Sequence, residues 1–459
     1  MTQGFPLSHA DAAWLHMEEP ASLMMINGLF LFDKPVDPER FRATIRARLL
    51  SHNRFRMRAT EPKGLGMPRW EPVELDLEHH IALETLPEPG DDETLLQRVS
   101  ELMSEPLDRE RPLWQLHLVH NYRGGTALIA RLHHAIADGI ALMKVLLNLT
   151  DSDPAAPWPE EAPTPVAEEL DVDSNETGGP MQQVIRRTHQ FLQESRELLV
   201  RPKPLLELAR KQIGAATAMG KLLLLEPDPQ TPFKGALGIR KKAAVSDPVT
   251  VDEVKQLAKA TGATINDVLM AVLTGSLRHY LMEHGHPVDD LSIRVVVPVD
   301  LRSDGDSALG NRFGLVFLSL PMFLADPKER LLEVKRRMDS LKRSPEAGVV
   351  FGLLSAVGAV PAEIEKKVVD LFGSKATAVV TNVPGPRESL YLAGRPIRSL
   401  MFWVPQSGRL GMGVSILSYA GLIRVGVATD HGLIPDPERI VDQFHICLEE
   451  LAGTVAEPA

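Results

Sequence analysis

His133-His134-Ala135-Ile136-Ala137-Asp138-Gly139 joins a strand-like run to a helix-like run. The strand is predicted over residues 126–132, where most side chains are apolar. Apolar residues then recur with the i, i+3, i+4, i+7 spacing of an amphipathic helix, at Leu142, Val145, Leu146 and Leu149. Polar groups that follow a buried strand often carry function. The stretch therefore predicts both a strand-to-helix unit and a candidate site.

Both halves of the chain mix strand and helix patterns, which predicts the α/β (α+β) class. In the first half, strands are predicted over 29–32, 116–119 and 126–132, and helices over 38–51 and 93–103. In the second half, helices are predicted over 251–261 and 265–283, and strands over 293–299, 313–320, 377–380, 413–418 and 423–428. A chain of 459 residues is long enough for two to four such domains.

Residues 151–180 differ in composition from the rest of the chain. They contain nine acidic residues, no Lys or Arg, and six prolines, a composition that buries too little apolar surface to fold alone. The segment is predicted to be a flexible linker. Without its nine charges the formal charge of −11 falls to −2, so neither a nucleic-acid partner nor an acidic folded part is inferred.

The linker suggests a division of the chain into four parts. They are an N-terminal domain, the linker, a helical bridge and a C-terminal domain, over residues 1–150, 151–180, 181–239 and 240–459. Within the bridge, basic amphipathic helices are predicted over 181–200 and 205–225. Such helices either lean on a folded core, the favoured interpretation, or bind a membrane surface.

The expected compartment is the cytoplasm. No apolar run reaches the roughly 18 residues that span a bilayer, and the first residues lack the layout of a signal peptide. The single cysteine, Cys447, excludes intramolecular disulfides and CxxC metal sites. It lies on an apolar helical stripe, which favours a buried thiol over a nucleophile.

An imidazole suits proton transfer near neutral pH, because its unperturbed pKa is about 6.5. Successive strand residues point to opposite faces, so only one of His133 and His134 is expected to reach a given substrate. Asp138 is placed to fix the turn by accepting backbone N–H groups. Two alternatives remain open: a packed pair of structural histidines, and a metal site with His133, His134 and Asp138 as ligands.

Other catalytic signatures are missing from the sequence. It contains no G-x-S-x-G elbow, no Walker A loop and no G-x-G-x-x-G run. No specific serine or cysteine is a candidate for a covalent acyl-enzyme. Direct attack of an acceptor hydroxyl on an acyl donor is therefore the simpler mechanism.

The HHxxxDG pattern of residues 133–139 resembles the active-site motif of bacterial wax ester synthase/acyl-CoA:diacylglycerol acyltransferases, within the CoA-dependent acyltransferase superfamily. It also resembles the motif of peptide-synthetase condensation domains and chloramphenicol acetyltransferase relatives. Further stretches favour the wax ester branch, namely Arg111-Pro112-Leu113-Trp114, Ile265-Asn266-Asp267, Thr381-Asn382-Val383-Pro384-Gly385-Pro386, Leu7-Ser8-x-x-Asp11-x-x-Trp14 and Gly310-Asn311-Arg312-Phe313. The resemblance covers almost the whole chain.

The resemblance implies two pseudo-symmetric chloramphenicol-acetyltransferase-like domains with a tunnel at their interface. On that model His134 is the general base that deprotonates an alcohol, and His133 supports the site. Asp138 is structural, and Gly139 permits a close backbone approach at the turn.

The ND element supplies two more candidate site residues. Asn266 would hydrogen-bond the acceptor or the developing oxyanion, and Asp267 would orient it. The alternative for Asn266 is a structural role near the start of a helix. The Trp114 element and the Pro384-Gly385-Pro386 turn are expected to be structural.

The function implied by the resemblance is transfer of a long-chain acyl group from acyl-CoA to a fatty alcohol or to diacylglycerol, without cofactor or metal. Contact with a membrane or lipid inclusions is expected because the substrates are lipids. One rival is a condensation-type enzyme that takes acyl groups from a carrier protein, and the other is a non-catalytic lipid-binding module. The residues leave acceptor preference, chain length and oligomeric state open.

Overall fold

The structure is a computed structural model that describes residues 4–61, 66–159, 224–300, 311, 313–342, 369–371, 373–406, 408 and 410–456. Its helices are α1 (His9–His16), α2 (Pro38–Thr44), α3 (Leu77–His80), α4 (Asp92–Met103), α5 (Gly139–Leu149), α6 (Val251–Thr261), α7 (Ile265–Glu283), α8 (Pro327–Lys342) and α9 (Pro437–Ala456). Its strands are β1 (Phe5–Pro6), β2 (Met25–Phe32), β3 (Met57–Thr60), β4 (Arg69–Pro72), β5 (Ile81–Thr85), β6 (Trp114–Tyr122), β7 (Gly125–His133), β8 (Lys241–Val245), β9 (Val249–Thr250), β10 (Ser292–Asp300), β11 (Phe313–Pro321), β12 (Ala378–Pro384), β13 (Tyr391–Leu392), β14 (Arg395–Pro396), β15 (Ser399–Trp403), β16 (Met412–Tyr419) and β17 (Leu422–Asp430). The mixed α/β class is confirmed.

The predicted helices agree with the structure where local capping signals are strong. α6 and α7 have the bounds predicted from the sequence, and both begin with a capping box, at Thr250 and Thr264. The helix predicted over 38–51 is shorter, because α2 ends at Thr44 and continues as a π-helical turn, Ile45–Leu49. The helices predicted over 181–200 and 205–225 fall almost wholly outside the described residues.

A five-stranded sheet in the order β15-β2-β7-β6-β5 forms the first half of the fold. Strands β2 and β7 are antiparallel, with Met25 opposite His133 and Ile26 opposite Leu132. β2 is buried along its whole length, and β7 is buried except at Leu132. The long apolar runs of these strands follow from their central position, since both faces of the sheet are covered.

A seven-stranded sheet forms the second half, with β11-β10-β12-β16-β17-β8 in order and β9 also paired with β17. One face packs against α7 and α9, and the buried Val414 and Ile416 of β16 belong to that core. Side chains alternate along a strand, so the residues between them point to the other face. Leu417 accordingly packs in the core of the first half.

Strand β15 links the two halves. It lies far along the chain but pairs with β2 at the edge of the first sheet, with Ser399 opposite Leu31 and Trp403 opposite Asn27. This strand was not among those predicted from the sequence. The division of the chain at residues 150 and 240 stays a prediction, and β15 is a segment beyond residue 240 that completes the first sheet.

A second link joins α4 of the first half to β8, at the edge of the second sheet. The Ser104 hydroxyl accepts the Lys241 N–H at 2.9 Å, and the Ser100 hydroxyl accepts the Ala243 N–H at 3.0 Å. The helix thus satisfies N–H groups that an open sheet edge leaves unpaired. Both links hold the two sheets in a fixed relation at the site between them.

Several further expectations have a clear outcome. Cys447 is a free, fully buried thiol, as predicted, and burial raises its pKa to about 12. The first residues of the predicted linker are anchored, because Asp151 accepts a hydrogen bond of 2.7 Å from Arg48 and pairs with the backbone of Tyr391. Within the described ranges, every helix is too short or too polar to cross a bilayer.

Candidate active site

The turn after β7 is fixed by Asp138. Its carboxylate Oδ1 accepts the N–H of Ile140 at 3.1 Å and of Ala141 at 3.0 Å, and its backbone is extended. This is an N-cap, which satisfies N–H groups that the first turn of a helix leaves free. α5 therefore begins at Gly139, and the predicted role of Asp138 in the turn agrees with this geometry.

The two adjacent histidines point to opposite sides of the turn. On one side, the His133 Nδ1 accepts the Ala135 N–H at 3.0 Å, and Nε2 lies 3.1 Å from a Glu18 carboxylate oxygen. Because Nδ1 accepts, Nε2 carries the proton and lies next to the Glu18 carboxylate. His133 is therefore held by protein groups.

Glu18 is a partner of His133 that the sequence analysis missed. Burial would raise the pKa of its carboxyl, but the His133 ring and the Arg109 guanidinium, 3.1 Å away, outweigh burial. The Met24 N–H also donates to this carboxylate, at 3.1 Å. Together these groups lower the pKa of Glu18 to about 2, so a stable carboxylate anchors His133.

His134 points to the other side, against aromatic rings. The Trp14 indole stacks on the imidazole, with ring centroids 4.0 Å apart, and the Phe313 ring is 5.9 Å away. The His134 backbone N–H donates to the Met24 carbonyl at 2.7 Å. Burial lowers the pKa of His134 to about 4, despite the opposing effect of the Asp138 carboxylate. The imidazole is therefore neutral at physiological pH.

A buried polar network holds the backbone that carries His134. The two carboxylate oxygens of Asp11 accept from Asn311 Nδ2 at 2.7 Å and from Arg54 at 3.0 Å. Asn311 also donates to the His134 carbonyl at 2.9 Å, and Arg54 donates to the Ile136 carbonyl at 2.8 Å. One carboxylate thus connects three separate chain segments to the turn.

The signals for this network were present in the sequence. Asp11 and Trp14 belong to the opening stretch Leu7-Ser8-x-x-Asp11-x-x-Trp14, and Ser8 caps α1 by accepting the Asp11 N–H at 3.1 Å. Asn311 belongs to the 310–313 stretch. From the sequence, both stretches indicate only the family resemblance. Neither Asp11 nor Asn311 is close to His134 in the sequence, so their contact could not be predicted from it.

His134 lies in the wall of a pocket between the two halves. The cavity volume is about 140 Å³, and the pocket is partly open to solvent. Most of its walls are apolar, and both sheets contribute to them. The lining residues are Ile26, His134, Asp138, Gly139, Ile140, Leu142, Pro298, Asp300, Phe313, Thr381, Asn382, Val383, Pro384, Phe402, Val404, Ser415, Ile416 and Leu417. Such a concave apolar site with few polar groups suits a small ligand with long apolar parts.

The ND residues occupy a different position from the one expected. Asn266 is solvent-exposed, and its Oδ1 accepts a hydrogen bond from Asn382 Nδ2. Asp267 is buried in the capping box of α7, where its carboxylate accepts the Thr264 N–H at 2.8 Å. The structure therefore brings Asn382 to the pocket, with Asn266 behind it. The Asp267 carboxylate stabilises the start of α7 through its hydrogen bond with Thr264. It was expected to orient Asn266, but the hydrogen bond found here is with Thr264.

The two glycines of the motifs differ in their surroundings. Among the described residues, no atom lies within 4 Å of a Cβ atom built at Gly139, so no close approach of the described backbone requires glycine there. The expected close approach occurs instead at Gly385, where a Cβ atom would lie 2.2 Å from the Ser418 carbonyl oxygen. Gly139 lines the pocket, so a side chain added there would extend into open space.

The other sequence candidates are structural. Trp114 is fully buried, donates to the Phe55 carbonyl at 2.9 Å and stacks on His80.

Within the described ranges, the group with ligand atoms close enough for a metal ion is His279, Cys447 and Glu450, on α7 and α9. His133, His134 and Asp138 do not form such a group there.

Family models of two consecutive domains match this chain. Residues 7–269 match the wax ester synthase/diacylglycerol acyltransferase catalytic domain, and residues 309–452 match the C-terminal domain of the same family. A protein of Mycobacterium tuberculosis named as a probable diacylglycerol O-acyltransferase is 28% identical over 441 residues, which cover 94% of this chain and 92% of that protein.

Solved structures share the fold. The wax ester synthase/diacylglycerol acyltransferase from Marinobacter aquaeolei VT8 superposes with a TM-score of 0.70 at 23% identity, covering 98% of this chain and 100% of that one. The first condensation domain of the calcium-dependent antibiotic synthetase superposes with a TM-score of 0.63 at 15% identity, covering 100% and 97%. At these identities the likeness shows the fold. Because the catalytic-domain match alone spans more than half of the residues, including the HHxxxDG turn, this chain belongs to the wax ester synthase/diacylglycerol acyltransferase family and is an acyltransferase.

Proposed function

We propose that the protein transfers a long-chain acyl group from acyl-CoA to the hydroxyl of a fatty alcohol or of diacylglycerol. The observation that carries the proposal is the buried His134 imidazole, whose pKa is lowered by burial, in the wall of a mostly apolar pocket. An apolar wall suits alkyl and acyl chains, and a neutral imidazole suits proton abstraction from an alcohol.

The proposed reaction is a direct displacement. The acceptor hydroxyl oxygen attacks the thioester carbonyl carbon while its proton passes to the His134 imidazole. The resulting oxyanion collapses, the C–S bond breaks, and the imidazolium returns the proton to the CoA thiolate. The products are an ester and free CoA, so the reaction needs neither an acyl-enzyme nor a cofactor or metal.

The remaining sequence candidates have supporting roles in this proposal. His133, held by Glu18, and Asp138, which caps α5, position the turn that carries His134. Gly139 leaves room at the pocket wall. Asn266 orients Asn382 through their side-chain hydrogen bond. Asp267 acts one step further away, through the helix start that places Asn266.

The partners in this proposal are acyl-CoA and a lipid acceptor. Exposed apolar side chains lie on α5 next to the pocket, at Ile140 and Leu147. Since both substrates are amphipathic or apolar, a cytoplasmic location with peripheral contact to a membrane or to lipid inclusions is part of the proposal.

The test is CoA release from palmitoyl-CoA by the purified protein, with and without hexadecanol or diolein. Acceptor-dependent release that a folded His134→Ala variant lacks is the expected result, and the faster acceptor identifies the main activity. His286→Ala is the matched control, because its ring bonds the neighbouring Pro287 carbonyl outside the pocket. Equal release by His134→Ala, or transfer only from an acyl carrier protein, would contradict the proposal.

A further inference from the structure

One polar side chain in the pocket has no role in the reaction as written so far. Ser415 lies on β16, between Val414 and Ile416, which pack in the core of the second half. Alternation along the strand turns Ser415 to the opposite face, toward the first half. It lines the same pocket as His134. Its hydroxyl therefore faces the space where the substrate is proposed to bind.

The Ser415 hydroxyl is buried and unsatisfied. The residue is 4% exposed, and its Oγ has no hydrogen-bond partner in the described part of the chain. A buried hydroxyl without a partner carries the full cost of its lost hydration. Such an isolated group at a pocket wall calls for an explanation, and an ordered water or a bound ligand can supply the missing partner.

The reaction needs a hydrogen-bond donor for the thioester carbonyl oxygen, and few groups in this pocket can supply one. As the acceptor attacks, negative charge develops on the thioester carbonyl oxygen, and donors aimed at that oxygen accelerate the reaction most in a dry site. Backbone N–H groups of β16 are committed, because the strand pairs with β12 on one side and β17 on the other. β16 can therefore offer a donor to the pocket through a side chain rather than through its backbone.

The other hydroxyl and amide at the wall fit less well. Asn382 Nδ2 donates one of its two N–H groups to Asn266 Oδ1, and because the residue is exposed, water competes for the other. Thr381 is opposite Ser415 on the neighbouring strand but is only half-buried, so water competes for its hydroxyl. The carboxylates of Asp138 and Asp300 are acceptors when ionised. Among the described lining residues, Ser415 is the desolvated neutral donor.

We infer that the Ser415 hydroxyl donates a hydrogen bond to the carbonyl oxygen of the acyl thioester and stabilises the oxyanion. The inference rests on the proposed function and assigns a second catalytic residue to it. In the balanced step, the acceptor C–O bond forms, the acceptor proton moves to His134, and the carbonyl π electrons become the oxyanion lone pair. Ser415 keeps its proton throughout, and the oxyanion then expels the CoA thiolate, which takes the proton from His134.

The test compares Ser415→Ala, Ser415→Thr and Thr381→Val with the wild-type protein in the CoA-release assay. Removal of one oxyanion donor typically lowers kcat by about 10²–10³-fold, and we expect that loss for Ser415→Ala with the KM for acyl-CoA unchanged. Ser415→Thr keeps a hydroxyl and should restore most of the lost rate. Thr381→Val should lose less than about tenfold, since a solvated donor contributes less.

Thermal unfolding separates catalysis from structure. Because no described residue forms a hydrogen bond with Ser415 Oγ, Ser415→Ala should unfold at the same temperature as the wild type or higher. A kcat within twofold of wild type, or a rate loss matched by a lower unfolding temperature, would overturn the inference. If His134→Ala abolishes transfer while Ser415→Ala does not, only the Ser415 role fails. If the wild-type protein transfers no acyl group, the proposed function fails and this inference with it.

Discussion

The Trp14 indole ring stacks on the His134 imidazole, with centroids 4.0 Å apart and planes inclined by 17°. The stack covers one face of the imidazole and limits its rotation. It also keeps water from that face, which contributes to the burial that lowers the pKa of His134. A residue near the start of the chain therefore shapes the candidate base.

Replacing Trp14 should change both the rate and the pH profile. Trp14→Ala removes the covering ring, so we expect kcat to fall at least about tenfold, since loss of positioning costs rate. Readmitted water should raise the pKa of His134 toward 6.5. Trp14→Phe keeps an aromatic ring and serves as the control. Unchanged kcat and pH dependence in a folded Trp14→Ala protein would show that the stack is only packing.

The pH dependence of the wild-type protein follows from the lowered pKa of His134. The base acts in its neutral form, which persists above its pKa, so kcat/KM should stay flat as pH falls from 7 to about 5 and drop only toward about 4. A histidine at its ordinary value would give half-maximal activity near pH 6.5. The rate should be measured between pH 4 and pH 8, with circular dichroism at each pH. A limb near 6.5 in folded protein would contradict the buried geometry.

The same pKa values predict how stability depends on pH. The pKa of His134 is lower in the folded protein than its unfolded value of 6.5. The free energy of unfolding should therefore decrease as pH falls from 6.5 toward 4. Glu18 also has a lowered pKa, so its contribution is complete above 4.5 and is lost as pH falls through about 2. Urea unfolding measures this effect. The unfolding free energies of the wild type and of Glu18→Gln should become equal near pH 2, where the Glu18 carboxyl is protonated.

Breaking the Asp11 network should destabilise the fold. Asp11→Ala leaves the buried Arg54 guanidinium without its carboxylate, and removal of one partner of a buried pair costs about 3–5 kcal/mol of unfolding free energy. The surface pair Arg336–Glu333 gives a matched control, since an exposed ion pair contributes little and Arg336→Ala should leave the urea midpoint almost unchanged. Urea denaturation measures both. Equal small losses would show that other contacts hold Arg54.

The two motif glycines should respond differently to alanine. Gly139→Ala should stabilise the protein by about 0.4–1 kcal/mol, because the site is open and its backbone is not left-handed. Its methyl group enters the pocket, so the KM for the acceptor should rise. Gly385→Ala should destabilise by at least about 1–3 kcal/mol, because its methyl overlaps the Ser418 carbonyl. Thermal unfolding compares them, and the reverse order would contradict the geometry.

The local elements were predictable because their signals are local. α6 and α7 start at capping boxes that are visible in the sequence, and β7 and α5 are set by hydrophobic spacing around the HHxxxDG turn. The edge strand β15 was not predictable. It has five residues, and it pairs with a strand from the other half of the chain. Such pairing depends on how the halves dock.

The sequence alone determined the mixed α/β class, the family, and the turn that directs His134 to one side and His133 to the other. These depend on period, capping and alternation, which act over a few residues. Tertiary structure alone decided what surrounds His134. Asn311 bonds its carbonyl from 177 residues away, and Ser415 faces it from the second sheet. Contacts between distant segments follow from the packing of whole sheets, which no local pattern records.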